Sequence, residues 1–355
     1  DTVYCVLPLH HPAGMLVAVG GALVGRSRLA LAHGFDPEQF WAEVRRYGAT
    51  VVFYAGEMCR ALVHAESAAT AGNHSLRLFA GSGMRAQLWG ELLERFGPIA
   101  VREFYASTEG NLVLANISGK RGALGRPLPG ANQLELVAYD YDRQDFVRDA
   151  LGHARRCRMG EAGLLIAKVG PTHPAFGREG KAGTDAVASF HRDVFGPNET
   201  WYSTGDLVRR DADGDYWYVD RISHLIRGPH GWVSPREIED ALYGVAGVEL
   251  AVVYGVGRAT LAEPLVELAG SVGADVVVAT LVVREPEQFE ITTIAARVAE
   301  LRPEQRPSFV RLRREVGLTD GFRPLKTPLV RDGVKVGDPW LWVWDPAGAS
   351  YRRVG

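Results

Sequence analysis

The sequence predicts an α/β fold: mostly parallel sheet layers, a β-rich barrel-like module and a small C-terminal α+β lid domain. Three observations carry that prediction. Short apolar, strand-like runs alternate with helical patterns over roughly residues 1–115, which implies parallel strands with helices on the sheet faces. Within residues 116–222 the chain turns to short strands separated by turns such as Asp213-Gly214, the pattern of a β-rich module. Residues 223–355 return to mixed helix and strand.

In chain order, Val3–Leu9 reads as a strand and Pro37–Tyr47 as a helix, followed by a β-branched strand at Thr50–Tyr54. Leu76–Ala80 is a strand, Arg85–Phe96 a helix and Ile99–Phe104 a strand. The middle region offers strands at Leu134–Ala138, Gly163–Val169, Leu207–Arg210 and Tyr216–Val219. Between them Gly170–Asp185 lacks periodicity and reads as a surface loop. Further on, Pro235–Leu242 reads as a helix, with Ser234 as N-cap and Glu237 completing a capping box. Strands at Val248–Val256, Asp275–Val283 and Phe309–Leu312, with a helix at Ile291–Leu301, complete the expectation.

The charge balance, 40 Lys+Arg against 42 Asp+Glu, argues against a general nucleic-acid binder, which needs a basic surface. The cysteines, Cys5, Cys59 and Cys157, form no CxxC pair and fit a reducing, cytoplasmic setting. The longest apolar run, Met15 to Gly25, is too short for a bilayer span, which needs roughly 20 residues. No signal peptide is apparent; the chain opens on Asp1 and reads as part of a longer protein.

Gly81-Ser82-Gly83-Met84-Arg85-Ala86 follows a strand, opens a helix and has Glu103 about 20 residues on, so it imitates a dinucleotide fingerprint. It reads equally as a tight turn or as the wall of another nucleotide pocket. A GxxxxGK[ST] phosphate loop, HExxH and GxSxG are all absent, and the histidines show no metal-ligand spacing.

More informative is Glu103-Phe104-Tyr105-Ala106-Ser107-Thr108-Glu109-Gly110-Asn111, where a strand end delivers hydroxyls, a carboxylate and a glycine. A Thr hydroxyl can hydrogen-bond a phosphate, and a neighbouring carboxylate can hold Mg²⁺. Trp201-Tyr202-Ser203-Thr204-Gly205-Asp206 ends in one acid after a glycine, suited to both hydroxyls of a ribose. Asp220-Arg221-Ile222-Ser223-His224 joins the β-rich module to the last region. Each segment alone also reads as an ordinary turn or linker.

In this order, EFYASTEGN and WYSTGDLVRRDADGDYWYVDR resemble the adenylate-forming superfamily of acyl-CoA synthetases. The fatty acid transport protein and very-long-chain acyl-CoA synthetase branch is the nearest likeness. Leu7-Pro8-Leu9-His10-His11-Pro12-Ala13-Gly14 is similar to that branch, as are Gly56-Glu57-Met58-Cys59-Arg60, Arg306–Leu312 and Asp338-Pro339-Trp340.

The resemblance implies ATP-dependent conversion of a long- or very-long-chain fatty acid to an acyl-adenylate, then thioester formation with coenzyme A. By the same carry-over, Thr108 would bind the α-phosphate and Glu109 would hold Mg²⁺. Tyr105 with Gly81, Ser82 and Gly83 would flank the adenine. Asp206 would take the ribose hydroxyls with Arg221 beside it, and His11 would belong to the acyl site. His224 would stand at the hinge of the mobile domain, and Gly231 and Trp232 at the coenzyme A tunnel.

Four departures accompany the likeness. The family's phosphate-cradling loop lies upstream of the matching stretch. His224 stands where the family usually has Asp, giving the hinge a titratable group. Arg227-Gly228-Pro229-His230-Gly231-Trp232-Val233 departs from the family's thiol-tunnel loop. Arg323 stands where the family has its late catalytic Lys, with Lys326 three residues on as a substitute. Two alternatives follow: a degenerate domain that binds nucleotide or acyl chain without efficient catalysis, and, from Gly81–Ala86, an NAD-dependent oxidoreductase. The resemblance leaves room for peripheral membrane contact, although no basic amphipathic stretch supports it.

Overall fold

A computed structural model describes residues 1–107, 112–181, 189–228, 231–269 and 275–354. The chain divides into two compact units, Asp1–Tyr218 with Thr319–Arg323, and Val219–Leu318 with Pro324–Gly355.

The first unit is built on a seven-stranded sheet. Its strands are β1 (Thr2–Cys5), β2 (Arg28–Leu31), β3 (Val51–Ala55), β4 (Leu78–Ser82), β5 (Ala100–Ser107), β6 (Leu112–Asn116) and β7 (Arg126–Pro127). They lie in the order β2-β1-β3-β4-β5-β6-β7. β2 to β5 are parallel, and β6 and β7 add antiparallel strands at one edge. The parallel part needs apolar strands covered by crossovers, and Val3, Tyr4, Val52 and Phe79 are all buried.

The apolar run flagged at Met15 to Gly25 forms a π-helical stretch, Ala13–Val19, continued by the short α1 (Gly20–Val24). Helices α2 (Phe40–Tyr47), α3 (Met58–His64) and α4 (Ala86–Phe96) supply Phe40, Trp41, Leu62 and Leu92 to the same core. Gly48 ends α2 at φ 58°, where a side chain would be strained.

The β-rich region forms β8 (Leu134–Val137), a small hairpin of β9 (Tyr139–Asp140) and β10 (Asp145–Phe146), β11 (Gly163–Lys168), β12 (Gly180–Lys181), β13 (Ser189–Arg192) and β14 (Thr200–Arg210). Its main sheet runs β12-β13-β14-β11-β8, with β15 (Tyr216–Arg221) pairing β14. Among the described residues this sheet is open rather than closed into a barrel. β14 is far longer than the predicted Leu207–Arg210, because Thr200–Val208 is buried by the strands on either side.

The second unit opens with the hairpin of β16 (Ile226–Gly228) and β17 (Gly231–Val233). A five-stranded sheet follows, in the order β18 (Leu250–Gly257), β19 (Asp275–Val282), β20 (Phe309–Arg313), β21 (Leu341–Asp345), β22 (Ser350–Arg353). Its helices are α5 (Pro235–Tyr243), α6 (Glu263–Leu268), α7 (Thr292–Glu300) and α8 (Lys326–Asp332). Ile238, Leu242, Val253, Ile294 and Val310 share one core between α5, α7 and the sheet.

The predicted capping box of α5 does not form. Asp220 performs the capping instead: its Oδ2 accepts from the Ser234 hydroxyl at 2.6 Å and from the Arg236 backbone N–H at 3.0 Å. Glu237 turns away to Gln305 and Arg302. A carboxylate accepts backbone donors at a helix start more strongly than a hydroxyl does, so the long-range partner wins.

Candidate active site

The site in the first unit begins with a break in regularity. The pairing of β11 with β14 shifts register between Leu164 and Ile166, and Gly205 lies at φ 77° opposite that shift. Such a bulge re-aims the side chains around it. Here it presents Asp206, which is buried. The Asp206 backbone N–H donates to the Thr204 hydroxyl at 3.0 Å, and that hydroxyl donates to the Leu165 carbonyl at 3.0 Å. The acid is therefore held at its backbone by a neighbouring threonine on the same strand.

Tyr105, near the C-terminal end of β5, donates its hydroxyl to Asp206 Oδ2 at 2.5 Å. Burial, and then the Asp206 charge, push the Tyr105 phenol well above its ordinary range, so it stays protonated and donates. Nearby, the Ser107 hydroxyl donates to Tyr202 Oη at 3.1 Å. These two contacts join the end of a parallel strand to the β14 bulge, the kind of strand end where α/β sheets take ligands.

Beside it, the Gly81-Ser82-Gly83 turn follows β4. A Cβ at Gly81 would lie 2.2 Å from the Tyr54 carbonyl oxygen, and Gly83 has φ 90°, so both positions require glycine. The turn is fixed by Glu103 on the adjacent β5. Its carboxylate accepts the backbone N–H groups of Gly83 at 3.3 Å and Met84 at 3.0 Å, together with the Tyr54 hydroxyl. Burial first, then the Glu103 charge, raise the Tyr54 and Cys59 ionisations. The acid that gave this segment its dinucleotide-like look is thus turned inward to hold its own loop.

His11 accepts the Ala13 backbone N–H at Nδ1, 3.2 Å away. Gly14 is needed there because a Cβ would sit 2.3 Å from the Pro8 carbonyl oxygen. His10 pairs with Asp320 at 2.8 Å on the surface of this unit. Arg323 ends the turn Thr319–Arg323, whose Thr319 N–H donates to the Arg323 carbonyl at 2.8 Å, and its side chain is exposed. Phe322, at φ 56°, sets its ring edge-on to Phe35 with 5.6 Å between centroids. Thr108, Glu109, Pro229 and His230 lie outside the described residues.

Arg221 and His224 belong to the second unit, on β15 and the 3₁₀ turn after it. Burial, then the Lys326 charge, push His224 below the ordinary histidine range, while Asp220 at 3.9 Å opposes them. Gly231 and Trp232 lie on β17, where Trp232 pairs with Arg227. Lys326 is committed elsewhere: its ammonium lies 2.9 Å from Glu239 Oε1 and donates to the Val253 carbonyl at 2.8 Å, tying α8 to α5 and β18.

Sequence reasoning passed over Ser107–Tyr202 and the contact of His191 Nε2 with the Ser203 hydroxyl at 2.9 Å. Both were within segments already singled out or adjacent to them, but partners some 95 and 12 positions apart leave no local signal.

The first unit thus ends its parallel sheet in a tyrosine–carboxylate pair beside a glycine bulge. Residues 1–148 match the model of the AMP-binding enzyme family. The chain is also similar to the long-chain fatty acid transport proteins. It is 32% identical to number 2 of Rattus norvegicus over 94% of this chain and 52% of that protein. Against number 5 of Homo sapiens the identity is 34%, over 99% of this chain and 50% of the relative. The chain thus spans about half the length of the curated relatives it matches.

Among solved structures, ATP-bound MatB from Rhodopseudomonas palustris shares the fold, with TM-score 0.69 and 21% identity over 94% of this chain and 60% of that one. So does the anthranilate CoA ligase AuaEII in complex with anthranoyl-AMP, with TM-score 0.66 and 20% identity over 94% and 59%. Among the described residues, no helix is long and apolar enough to cross a membrane.

Proposed function

We propose that this chain serves ATP-dependent activation of a long- or very-long-chain fatty acid to its acyl-adenylate, followed by transfer to coenzyme A. In the first step a carboxylate oxygen attacks the α-phosphorus and pyrophosphate leaves. In the second the coenzyme A thiolate attacks the acyl carbon and AMP leaves. The observation that carries this reading is the buried Asp206 on its glycine bulge with Tyr105 donating to it. A carboxylate fixed in that way is prepared to accept both hydroxyls of a ribose.

In this reading, Tyr105, Gly81, Ser82 and Gly83 flank the adenine, Thr108 binds the α-phosphate and His11 lines the acyl site. Arg221 serves the nucleotide, His224 the hinge, Gly231 and Trp232 the coenzyme A path, and Arg323 supplies positive charge to the reacting carboxylate. Glu109 would hold Mg²⁺, which neutralises phosphate charge when bound. The cysteine pattern supports a cytoplasmic setting, with peripheral membrane contact as part of the same proposal.

Titration calorimetry with a non-hydrolysable fatty-acyl adenylate analogue tests the proposal, with NAD as comparator. Binding that Asp206→Ala abolishes is the expected result. NAD binding in its place would overturn the reading.

A second reading, binding without efficient turnover, is favoured by one specific observation. Arg323 stands at the catalytic lysine position, and Lys326 is held by Glu239 and the Val253 carbonyl. Guanidinium keeps the charge but presents a rigid fork in place of a compact ammonium. Arg323→Lys separates the two readings: a rise in pyrophosphate release supports the second.

A further inference from the structure

A basic pocket lies on the β-rich part of the first unit, formed by residues that the adenylation chemistry does not use. The segment Arg155–Arg158 runs beside β8 like an additional edge strand. The Ala138 N–H donates to the Arg155 carbonyl at 2.9 Å, the Cys157 N–H donates to the Leu136 carbonyl at 2.8 Å, and Val137 bridges Arg156. Strand alternation places Arg156 and Arg158 on one side of that ladder. The turn after it returns to β14, where the Gly160 N–H donates to the Arg210 carbonyl at 2.9 Å.

The result is a small open-mouthed pocket of about 70 Å³, lined by Glu135, Leu136, Arg156, Cys157, Arg158 and Arg210. Three guanidinium groups and one carboxylate leave the lining with two net positive charges. Arg156 is oriented from two sides, by Glu135 at 3.3 Å and by the Phe195 ring, whose centre lies 3.7 Å from its guanidinium carbon. The nearby acid that would oppose an anion is occupied. Glu161 binds the Arg155 guanidinium at 2.6 and 3.1 Å and accepts the Arg158 backbone N–H at 2.8 Å, which holds its carboxyl down to about 2. Burial pushes the Cys157 thiol up to about 11, so it adds no negative charge at neutral pH.

We propose that this pocket binds a phosphate monoester, with Arg158 and Arg210 donating to its oxygens and Arg156 fixed as the third side. Guanidinium forks match phosphate geometry in pairs, and the two net charges match a dianion. The phosphate has two sources that share this chemistry: a soluble sugar or nucleotide phosphate, and the phosphomonoester headgroup of an anionic lipid. Met159, exposed at the apex of the Arg158–Glu161 turn, would enter the bilayer surface in the second case.

The test titrates the full chain with inorganic phosphate and with a sugar phosphate, and in a second arm with phosphatidylcholine vesicles with or without phosphatidic acid. Arg158→Gln and Arg210→Gln are compared with Arg143→Gln, an exposed arginine paired to Asp140 at 3.7 Å. Saturable binding that each pocket variant weakens about tenfold or more, and the control does not, is expected. Binding confined to phosphatidic acid vesicles assigns the lipid source, and binding of the soluble phosphates assigns the other. No saturable binding in either arm, or binding that survives both substitutions, overturns the proposal. Circular dichroism and retained binding of the acyl-adenylate analogue show that the variants are folded, and keep this result separate from the ligase reading.

Discussion

Two buried carboxylates in the first unit, Glu103 and Asp206, look alike by position and differ in what holds what. Each is 3–4% exposed, each receives a tyrosine hydroxyl, and each lies beside a glycine turn. Glu103 accepts the backbone donors of Gly83 and Met84, so the carboxylate fixes the loop. At Asp206 the relation is reversed: Thr204 and the Gly205 bulge fix the residue. Glu103 is spent on holding its own loop, whereas Asp206 is itself held by its strand and by a tyrosine from β5. The contrast assigns Glu103 to the Gly81–Ala86 turn, and the nucleotide role proposed for Asp206 is what the following experiments test.

The comparison breaks most visibly at Glu103. Glu103→Ala strands two backbone donors and a phenol in the interior, and is expected to cost about 3–5 kcal/mol. Urea unfolding checks it; a loss under about 1 kcal/mol would mean that the loop does not depend on the carboxylate.

Asp206→Asn is the mirror experiment. It keeps the shape and an acceptor for Tyr105, so stability should change by less than about 1 kcal/mol while affinity for the acyl-adenylate analogue falls about a hundredfold. Equal losses in stability and affinity would make Asp206 another Glu103.

Tyr54 and Tyr105 sharpen the point through pH. Both phenols are raised above the unfolded value near 10, so the folded state retains protons that the unfolded chain gives up. Their contribution to stability is present below pH ~10 and is lost as the pH rises beyond it. Phenolate absorbance during alkaline titration should show both tyrosines ionising only with unfolding. Early ionisation of Tyr105 alone would mean an opening at the Asp206 site.

The smallest effect concerns His191, which contacts the Ser203 hydroxyl just before the bulge. Burial lowers its ionisation below the usual value, with Asp145 and Glu179 raising it and Arg148 lowering it. Its stabilising contribution is therefore present above about pH 6.5 and is lost as pH falls. His191→Gln should flatten the acid limb of analogue binding by a few-fold, which nuclear magnetic resonance of the histidine and calorimetry at two pH values both read.

Much of the architecture was legible locally. The strands at Val51–Ala55 and Leu78–Ser82 and the helix at Ala86–Phe96 follow from β-branched runs and helical periodicity, to within a few residues. What escaped had no local signature. β21, β22 and α8 are short and gain their order from packing on β20 and β18. The capping box at Ser234 is a sound local pattern that lost to Asp220, some 14 positions upstream, because a charged acceptor outcompetes a hydroxyl.

The same division runs through the site. The sequence by itself determined the residue types: Tyr105 at a strand end, glycine before Asp206, and arginine at position 323. Only the tertiary structure decided their standing. It joined Tyr105 to Asp206 across 101 positions, turned Glu103 inward and bound Lys326 to Glu239. Chemistry is written in side-chain identity, which is local. Availability depends on which donors and charges arrive from distant strands, and those are fixed only when the core closes.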